Sequence, residues 1–375
     1  MTDPATVKKS EGGVTIPFFS ENSFWNTAIP ESACEDARSE EWINLLDTAQ
    51  EGRGLHINLK EWTIPVFEAD AGTSVVKLHP KLPRCPLSQG HMMASEPKLG
   101  PSHPCGLHAS VQDGVPIPPE AVPDPCHDAH MVVVDPSSNR AFDFWQCRQE
   151  VDGSWHSNSA ISYELDGPGI FEPSDLDGIE NDESVHLYGP CRASGVPALA
   201  GLIMEDEIRG GRIAHRLAFA CPVPALQERV FPPAAWTDGW LPGGVPEGCI
   251  LQLDPALDLE SLSLSPAAKI VARALQEFGA VLVDYAGSVT LSGELLTPHP
   301  GRSWDGLLGE WDLGELPLSH FRILDTGPME HTGSHPVYHQ GMSALFYGYL
   351  EKHGESVIPK RSYNEHAVQT SGASA

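Results

Sequence analysis

The stretch that most constrains the fold is DAHMVVVDPSSNRAFDFWQCR, residues 128–148, in which two apolar runs flank a polar turn. Valine and aromatic residues favour strands, and the central Pro, Ser and Asn favour a turn, so the stretch predicts a β-hairpin. An even number of loop residues places Val132 opposite Asp143 and His130 opposite Trp145. The chain must therefore contain a sheet with at least one buried face.

The next turn, QEVDGS at 149–154, predicts a third strand in the same sheet. If this loop is also even, alternate side chains sort onto two faces. The apolar face is expected to be core and contains Met131, Val133, Phe142, Phe144, Trp155, Ile161 and Tyr163. The second face is polar and aromatic and contains His130, Asp143, Trp145, His156 and Asn158. This second face is predicted to be a binding groove, with the ordinary wet face of an antiparallel sheet as the alternative.

The composition supports a β-rich chain, because 35 Gly and 34 Pro predict many turns and few long helices. One helix is predicted over 265–278. Ser265 can cap it, Pro266 suits its first turn, and apolar residues recur at three and four. We therefore predict a mainly β fold, with antiparallel β-sandwich or jelly-roll-like sheets and few helices.

The organisation along the chain predicts a flexible arm over 1–16, a single β-rich domain over 17–360 and a disordered tail over 361–375. No apolar run approaches the roughly 18 residues of a membrane span, so none is expected. The polar start lacks the apolar stretch of a signal peptide. The protein is expected to be extracellular or periplasmic if a signal was removed, and otherwise cytoplasmic.

The charge is strongly acidic, with 51 Asp and Glu against 23 Lys and Arg and a formal net charge of −28. Such a charge repels phosphate backbones and anionic membranes, so no nucleic-acid partner is expected. It also opposes capture of a polyanionic substrate unless arginines gather in one groove.

Cysteine and histidine leave two alternatives open. The eight cysteines form an even set, mostly in Pro-rich loops, which fits disulfides in an oxidising compartment. The segment CHDAH instead offers Zn²⁺ ligands in Cys126, His127, Asp128 and His130, and His108 could join them. The acidic segment 172–184 is interpreted as a solvated loop, with a Ca²⁺ site as the alternative. No cofactor is expected unless one of these ions is bound.

Further candidates for acid or base chemistry lie in the second half of the chain. His215 lies in the predicted strand IAHRLAFA, where it is either buried or lines a cleft. Asp206 and Glu207 precede a Gly-Gly turn, and Asp284 ends the apolar run AVLVD. Each has a structural alternative: a buried hydrogen-bonded histidine, solvated carboxylates, or a turn cap.

The predicted groove suits a sugar, because an aromatic plate beside hydrogen-bonding groups matches a ring with apolar faces and a polar rim. We therefore predict a carbohydrate-active enzyme that cleaves a polysaccharide. In a lyase, a His such as His130 or His215, or a Tyr, would take the proton beside a uronate carboxylate while an Arg or Asn neutralises that carboxylate. Arg192, Tyr188 and Asn158 are the nearest suppliers in the sequence. A hydrolase would use two of the carboxyl groups, drawn from Asp143, Asp206 and Glu207.

Two alternative functions remain open. One is a non-catalytic glycan-binding or surface protein that needs Trp145 but no acid or base. The other is a metal-dependent enzyme using Cys126, His127 and His130. Serine-hydrolase, P-loop and dinucleotide motifs are absent from the sequence.

Several blocks of the sequence resemble a family of secreted bacterial proteins of unassigned function. They are SFWNTAIP near the start, DAHMVVVDP with DFWQ, and GVPALAGLIMEDEIRGGRIAHRLAFA, in the family's order. The likeness covers roughly two thirds of the chain. The chain departs from the family pattern at Met204 and Glu205, where an Arg-Tyr pair is expected, and in PPAAWTDG, where a histidine is expected. The resemblance implies a shared β-rich fold more than it implies an activity.

Overall fold

A computed structural model of the protein describes residues 18–80, 107–171, 191–225, 229–235 and 237–331. The predicted arm and tail lie outside these residues. The fold is mainly β, as predicted, with 27% strand against 14% helix. The helices of the described chain are Ser39–Ala49 (α1), Glu205–Gly210 (α2) and Pro266–Glu277 (α3).

The strands are numbered along the chain and fall into two main sheets and three small ones. They are His56–Asn58 (β1), Val66–Glu68 (β2), Val75–Val76 (β3), Leu78–Pro80 (β4), Val115–Pro116 (β5), Met131–Asp135 (β6), Arg140–Trp145 (β7), Arg148–Gln149 (β8), Trp155–Ser157 (β9), Ser159–Glu164 (β10), Leu217–Cys221 (β11), Arg229–Val230 (β12), Ile250–Leu253 (β13), Ala280–Tyr285 (β14), Thr290–Ser292 (β15), Phe321–Ile323 (β16) and Glu330–His331 (β17).

The larger sheet has six strands in the order β1-β15-β11-β14-β13-β16. It is mixed, because β1 runs parallel to β15 and β11 runs parallel to β14, while its other pairs are antiparallel. One face carries Ile57, Phe219, Leu282 and Leu291, which pack in a core with residues of α1 and α3. Alternation then turns the neighbouring side chains toward the opposite face.

The second main sheet has four strands in the order β10-β7-β6-β2. Its central hairpin has the predicted register, with Val132 opposite Asp143. Met131 and Phe144 face a core of their own, as predicted. The opposite face is also buried, because Val132, Val134, Ala141 and Trp145 share a core with Ala218 and Val281 of the six-stranded sheet. The two sheets therefore sandwich a common core, and this face of the hairpin is not an open groove.

The predicted register of the third strand is wrong by one residue. Trp145 pairs with Ser159 and Asp143 with Ile161, so Ile161 and Tyr163 lie on the face of Asp143. The loop that sets this register has an odd length, 150–154, between Gln149 and Trp155, and Gly153 adopts a left-handed φ of 87° in it. An odd loop exchanges the two faces of the returning strand.

The predicted helix is present as α3. The Ser265 hydroxyl accepts a hydrogen bond from the Ala268 amide at 3.1 Å, and Pro266 opens the first turn. Gly279 follows the helix with a φ of 74°, a conformation that glycine adopts without strain. Start and stop signals in the sequence therefore located this element to within a residue.

No disulfide joins any two of the six cysteines in the described part of the chain, so the expected disulfides are not found among them. Four of the six are buried, at positions 147, 191, 221 and 249. Cys85 and Cys105 lie outside the described residues.

Candidate functional site

A cavity of about 650 Å³ opens at one end of the six-stranded sheet, on the face that packs against the four-stranded sheet. Four neighbouring strands contribute a lateral row of residues to it: His56, Thr290, Ala220 and Asp284 pair in succession. A register shift between β11 and β14 skips Val283 and pairs Ala220 with Asp284. This bulge places the Asp284 carboxyl on the cavity face.

The other walls come from segments outside that sheet. Polar and charged residues predominate in the lining: His56, Asn58, Glu61, Thr63, Asp128, His130, Arg192, Asp284, Tyr285, Ser288, Thr290, Ser292 and Glu310. Trp62 and Ile64 are among the apolar members. A cavity of this size with many convergent polar groups has the features of a small-molecule or substrate site.

His130 lies just before β6 and lines this cavity. The predicted pairing of His130 with Trp145 is not formed, because the regular pairing of β6 and β7 begins at Met131 and Phe144. The Gln146 amide donates to the Asp128 carbonyl at 2.7 Å, and the Trp145 indole donates to the Asp128 carboxylate at 3.3 Å. Trp145 therefore holds Asp128 at the cavity wall from the core side.

His130 is 8% exposed, and its Nδ1 has no hydrogen-bond partner among the described residues. Burial lowers the pKa of His130 below 6.5, and Arg192 lowers it further, against the opposing effect of Asp128. The ring is therefore neutral at pH 7, and one of its two nitrogens can accept a proton.

Asp284 connects the cavity to two buried carboxyl groups, those of Asp238 and Glu247. Burial raises the pKa of Asp284 well above its usual range, and Asp238 and Asp128 raise it further, while Arg192 opposes them. Burial likewise raises the pKa of Glu247, as does the Asp238 carboxyl that it faces. Three such carboxyl groups cannot all be ionised in a dry interior, so this cluster retains a proton at neutral pH.

Among the described residues, Arg192 is the one arginine in the lining, and it is 3% exposed. Its Nη1 donates to the Ala200 carbonyl at 2.9 Å, and its Nη2 is buried without a partner among the residues that the structure describes. Burial lowers the pKa of Arg192, and nearby Asp284 and Asp143 oppose that effect.

Trp62 forms part of the cavity wall and is 50% exposed. Its φ is 55°, a conformation that is strained for a bulky side chain, and the Asn58 amide donates to its carbonyl at 3.0 Å. A second tryptophan, Trp311, is also partly exposed and packs edge-on against His56 at 4.7 Å between ring centroids. Two accessible indole rings therefore lie close to this cavity.

The sequence does not predict His56, Trp62 or Thr290 as site residues. They lie in short strands or loops with no motif around them, and only the strand order brings them to Asp284. Asp284 itself is a candidate from the sequence, as a polar group at the end of an apolar strand.

The other residues predicted for the groove are dispersed. Asp143 is fully buried and accepts hydrogen bonds from the Ala198 amide at 2.6 Å and the Tyr163 hydroxyl at 2.7 Å. Asn158 is buried and donates to the Gln146 side chain. His156 lies in β9 of the β4-β9-β8 sheet, where its ring stacks on His79 at 5.3 Å. Tyr188 lies outside the described residues.

The acid and base candidates around α2 are not cavity residues either. His215 is 6% exposed, and its Nε2 lies 3.1 Å from the Glu207 carboxylate. Glu207 also accepts from the Met204 amide at 3.2 Å, which caps α2. Asp206 is half-buried in the first turn of the same helix. The contacts of His215 and Glu207 fit a structural ion pair.

The residues proposed as metal ligands do not converge. The described residues contain no group of three or more His, Cys, Asp or Glu side chains arranged to hold an ion. His108 Nδ1 accepts from the Ser110 amide at 3.2 Å and caps the turn at Ala109–Val111. The acidic segment 172–184, the alternative Ca²⁺ site, lies outside the described residues.

Comparison with known proteins gives no relative from which a function could be transferred: no family model, curated protein or solved structure matches the chain. Among the described residues, no helix has the length and apolarity needed to cross a bilayer.

Proposed function

We propose that the protein is an enzyme that cleaves a glycan in this cavity. The observation that carries the proposal is the convergence of three chemically distinct groups on one polar cavity. They are the neutral imidazole of His130, the carboxyl of Asp284, whose pKa is raised by burial, and the guanidinium of Arg192. Such a set can remove one proton, supply another and stabilise negative charge.

The wall chemistry favours a glycan over an apolar ligand. The half-exposed indole of Trp62 offers a flat surface for the apolar face of a sugar ring. In the same lining, Asn58, Ser288, Thr290 and Ser292 supply amide and hydroxyl groups. These groups both donate and accept hydrogen bonds, as ring hydroxyls require.

The roles within the cavity follow from the protonation states. His130 is the base and Asp284 the acid in either reaction. In a lyase reaction, His130 removes the proton next to a uronate carboxylate, its electron pair forms the new double bond, and Asp284 protonates the departing glycosidic oxygen. In a hydrolase reaction, His130 takes a proton from water as the water attacks the anomeric carbon, and Asp284 again protonates the leaving oxygen.

A panel of polysaccharides distinguishes the two reactions and tests the proposal. Unsaturated uronate products absorb at about 235 nm, whereas hydrolysis yields reducing ends without that absorbance. His130→Ala and Asp284→Asn should each lower kcat/KM by about 100-fold or more, the scale of general acid–base catalysis. His320→Ala, a half-buried histidine outside the cavity lining, is the matched control and should retain full activity.

The non-catalytic alternative predicts a different pattern. If the protein only binds glycan, Trp62→Ala should abolish binding while His130→Ala leaves it intact, and no substrate in the panel should yield product. Val151→Ala changes another exposed apolar residue, in the turn before β9, and is the control for Trp62. Absence of product from every acidic and neutral glycan would overturn the enzymatic proposal.

A further inference from the structure

Arg192 is a buried cation whose hydrogen-bonding capacity is largely unused. A guanidinium has five N–H donors. The Nη1 of Arg192 donates a hydrogen bond to the Ala200 carbonyl, and its Nη2 is buried without a partner among the described residues. None of the ion pairs in the described part of the chain includes Arg192. A buried charge left in this state is costly unless an anion joins it.

The two carboxyl groups whose charges act on Arg192 are engaged elsewhere. Asp143 accepts from the Ala198 amide and the Tyr163 hydroxyl. Asp284 accepts from the Tyr285 amide at 2.9 Å and belongs to the carboxyl cluster that holds a proton. Arg192 is therefore available for an external acceptor.

His130 adds a second unused polar group to the same cavity. Its Nδ1 is buried without a partner among the described residues, and both His130 and Arg192 line the cavity wall. An anion at this end of the cavity can accept from the guanidinium and lie beside the imidazole, as a base and its substrate require.

The surroundings favour a ligand with a single negative charge. Asp128 and Glu310 line the same cavity, and the whole chain carries −28. One guanidinium can offset one carboxylate, whereas a phosphate monoester near −2 would meet stronger repulsion.

We infer that the cavity holds a carboxylate of its ligand against Arg192, so that the substrate is a uronate-containing glycan. The glycan part of this inference rests on the proposed function, whereas the carboxylate site rests on the unused donors of Arg192. Its consequence is a preference for acidic over neutral sugars in an enzyme that is itself acidic.

The test compares ligands that differ only in the carboxylate. Trimers of galacturonate, glucuronate and mannuronate are titrated by calorimetry beside their methyl esters, which keep the ring and remove the charge. At least one free acid should bind 10-fold or more tightly than its ester. Arg192→Gln should abolish that preference, because it removes the charge that distinguishes the acid from its ester, and Arg192→Lys should restore part of it. Arg322→Gln, at a partly buried arginine paired with Gln252, is the matched control.

The ligand comparison in the wild-type protein does not depend on the folding of a variant, and circular dichroism checks each variant. Equal binding of every acid and its ester would overturn the inference, as would inorganic phosphate that binds more tightly than any uronate. Binding of a uronate trimer without cleavage would support the carboxylate site and contradict the proposed enzyme. Cleavage of neutral glycans alone would support the proposed enzyme and contradict the carboxylate site.

Discussion

The ring of His215 lies between two hydrogen-bond acceptors, the Arg216 carbonyl at 2.9 Å and the Glu207 carboxylate at 3.1 Å. Both nitrogens can donate only when the ring is an imidazolium. Burial alone would lower the pKa of His215, but the charge and hydrogen bond of Glu207, together with the Arg216 carbonyl, raise it above 6.5. A residue that the sequence suggested as a base is thus built into a buried pair.

Glu207→Gln should therefore destabilise the protein most at low pH. A raised folded pKa contributes stability that is complete below the unfolded value near 6.5 and is lost as pH rises through the folded value. Urea unfolding should show a loss of about 3 kcal/mol at pH 5.5, the scale for breaking a buried pair, and a smaller loss at pH 8.5. Asp206→Asn, in the same turn, should cost under about 1 kcal/mol. Equal losses for Glu207→Gln at both pH values would contradict the ion pair.

The buried carboxyl of Glu247 predicts that the folding stability falls as pH rises. Burial raises its pKa, so the folded state holds a proton that the unfolded chain releases at lower pH. The stability contributed by this proton falls as pH rises above about 4.5, and each tenfold difference in proton affinity corresponds to about 1.4 kcal/mol. Glu247→Gln should then flatten the fall in Tm between pH 5 and pH 8. The exposed Glu315→Gln should leave the wild-type slope unchanged.

Among the elements, α3 allows a direct test of a sequence signal. Ser265→Ala removes the hydroxyl that accepts from the Ala268 amide and also its bond to the Asp312 carboxylate at 3.0 Å. The free energy of unfolding should fall by about 1 kcal/mol, the usual cost of losing an N-cap. Ser263→Ala, an exposed serine just before the helix, should change it by less than about 0.5 kcal/mol. A similar loss in both variants would show that the cap contributes little.

The helix and the first hairpin could be predicted because their signals are local. Ser265 and Gly279 mark the ends of α3, and the apolar alternation around PSSN fixes the register of Val132 against Asp143. The third strand could not be placed the same way. Its parity depends on whether the loop after Gln149 holds an even or odd number of residues, and the sequence QEVDGS is compatible with both.

At the scale of the whole molecule, the site depends on strand order. His56, Ala220 and the pair Asp284 and Thr290 come from three separate regions of the chain, and the strand order places their four strands side by side in the sheet. The burial of the Trp145 face has the same origin, since the six-stranded sheet covers it. Periodicity within one hairpin contains no information about which sheet packs against it. Of the residues that the sequence singles out, Asp128, His130, Arg192 and Asp284 line the cavity, and Trp145 reaches it through Asp128.

The net charge of −28 predicts how an acidic substrate would approach this molecule. Exposed charges repel a polyuronate at long range, and raising the ionic strength from 0.01 to 0.15 M shortens the screening length from about 30 to about 8 Å. The buried contact to Arg192 is screened much less. kcat/KM for a long polyuronate should therefore rise several-fold over this range, whereas kcat/KM for a methyl-esterified polymer of equal length should stay nearly constant. Tm measured at both ionic strengths separates this effect from a change in folding. A fall in kcat/KM with added salt would instead show that surface cations, rather than the buried Arg192, capture the chain.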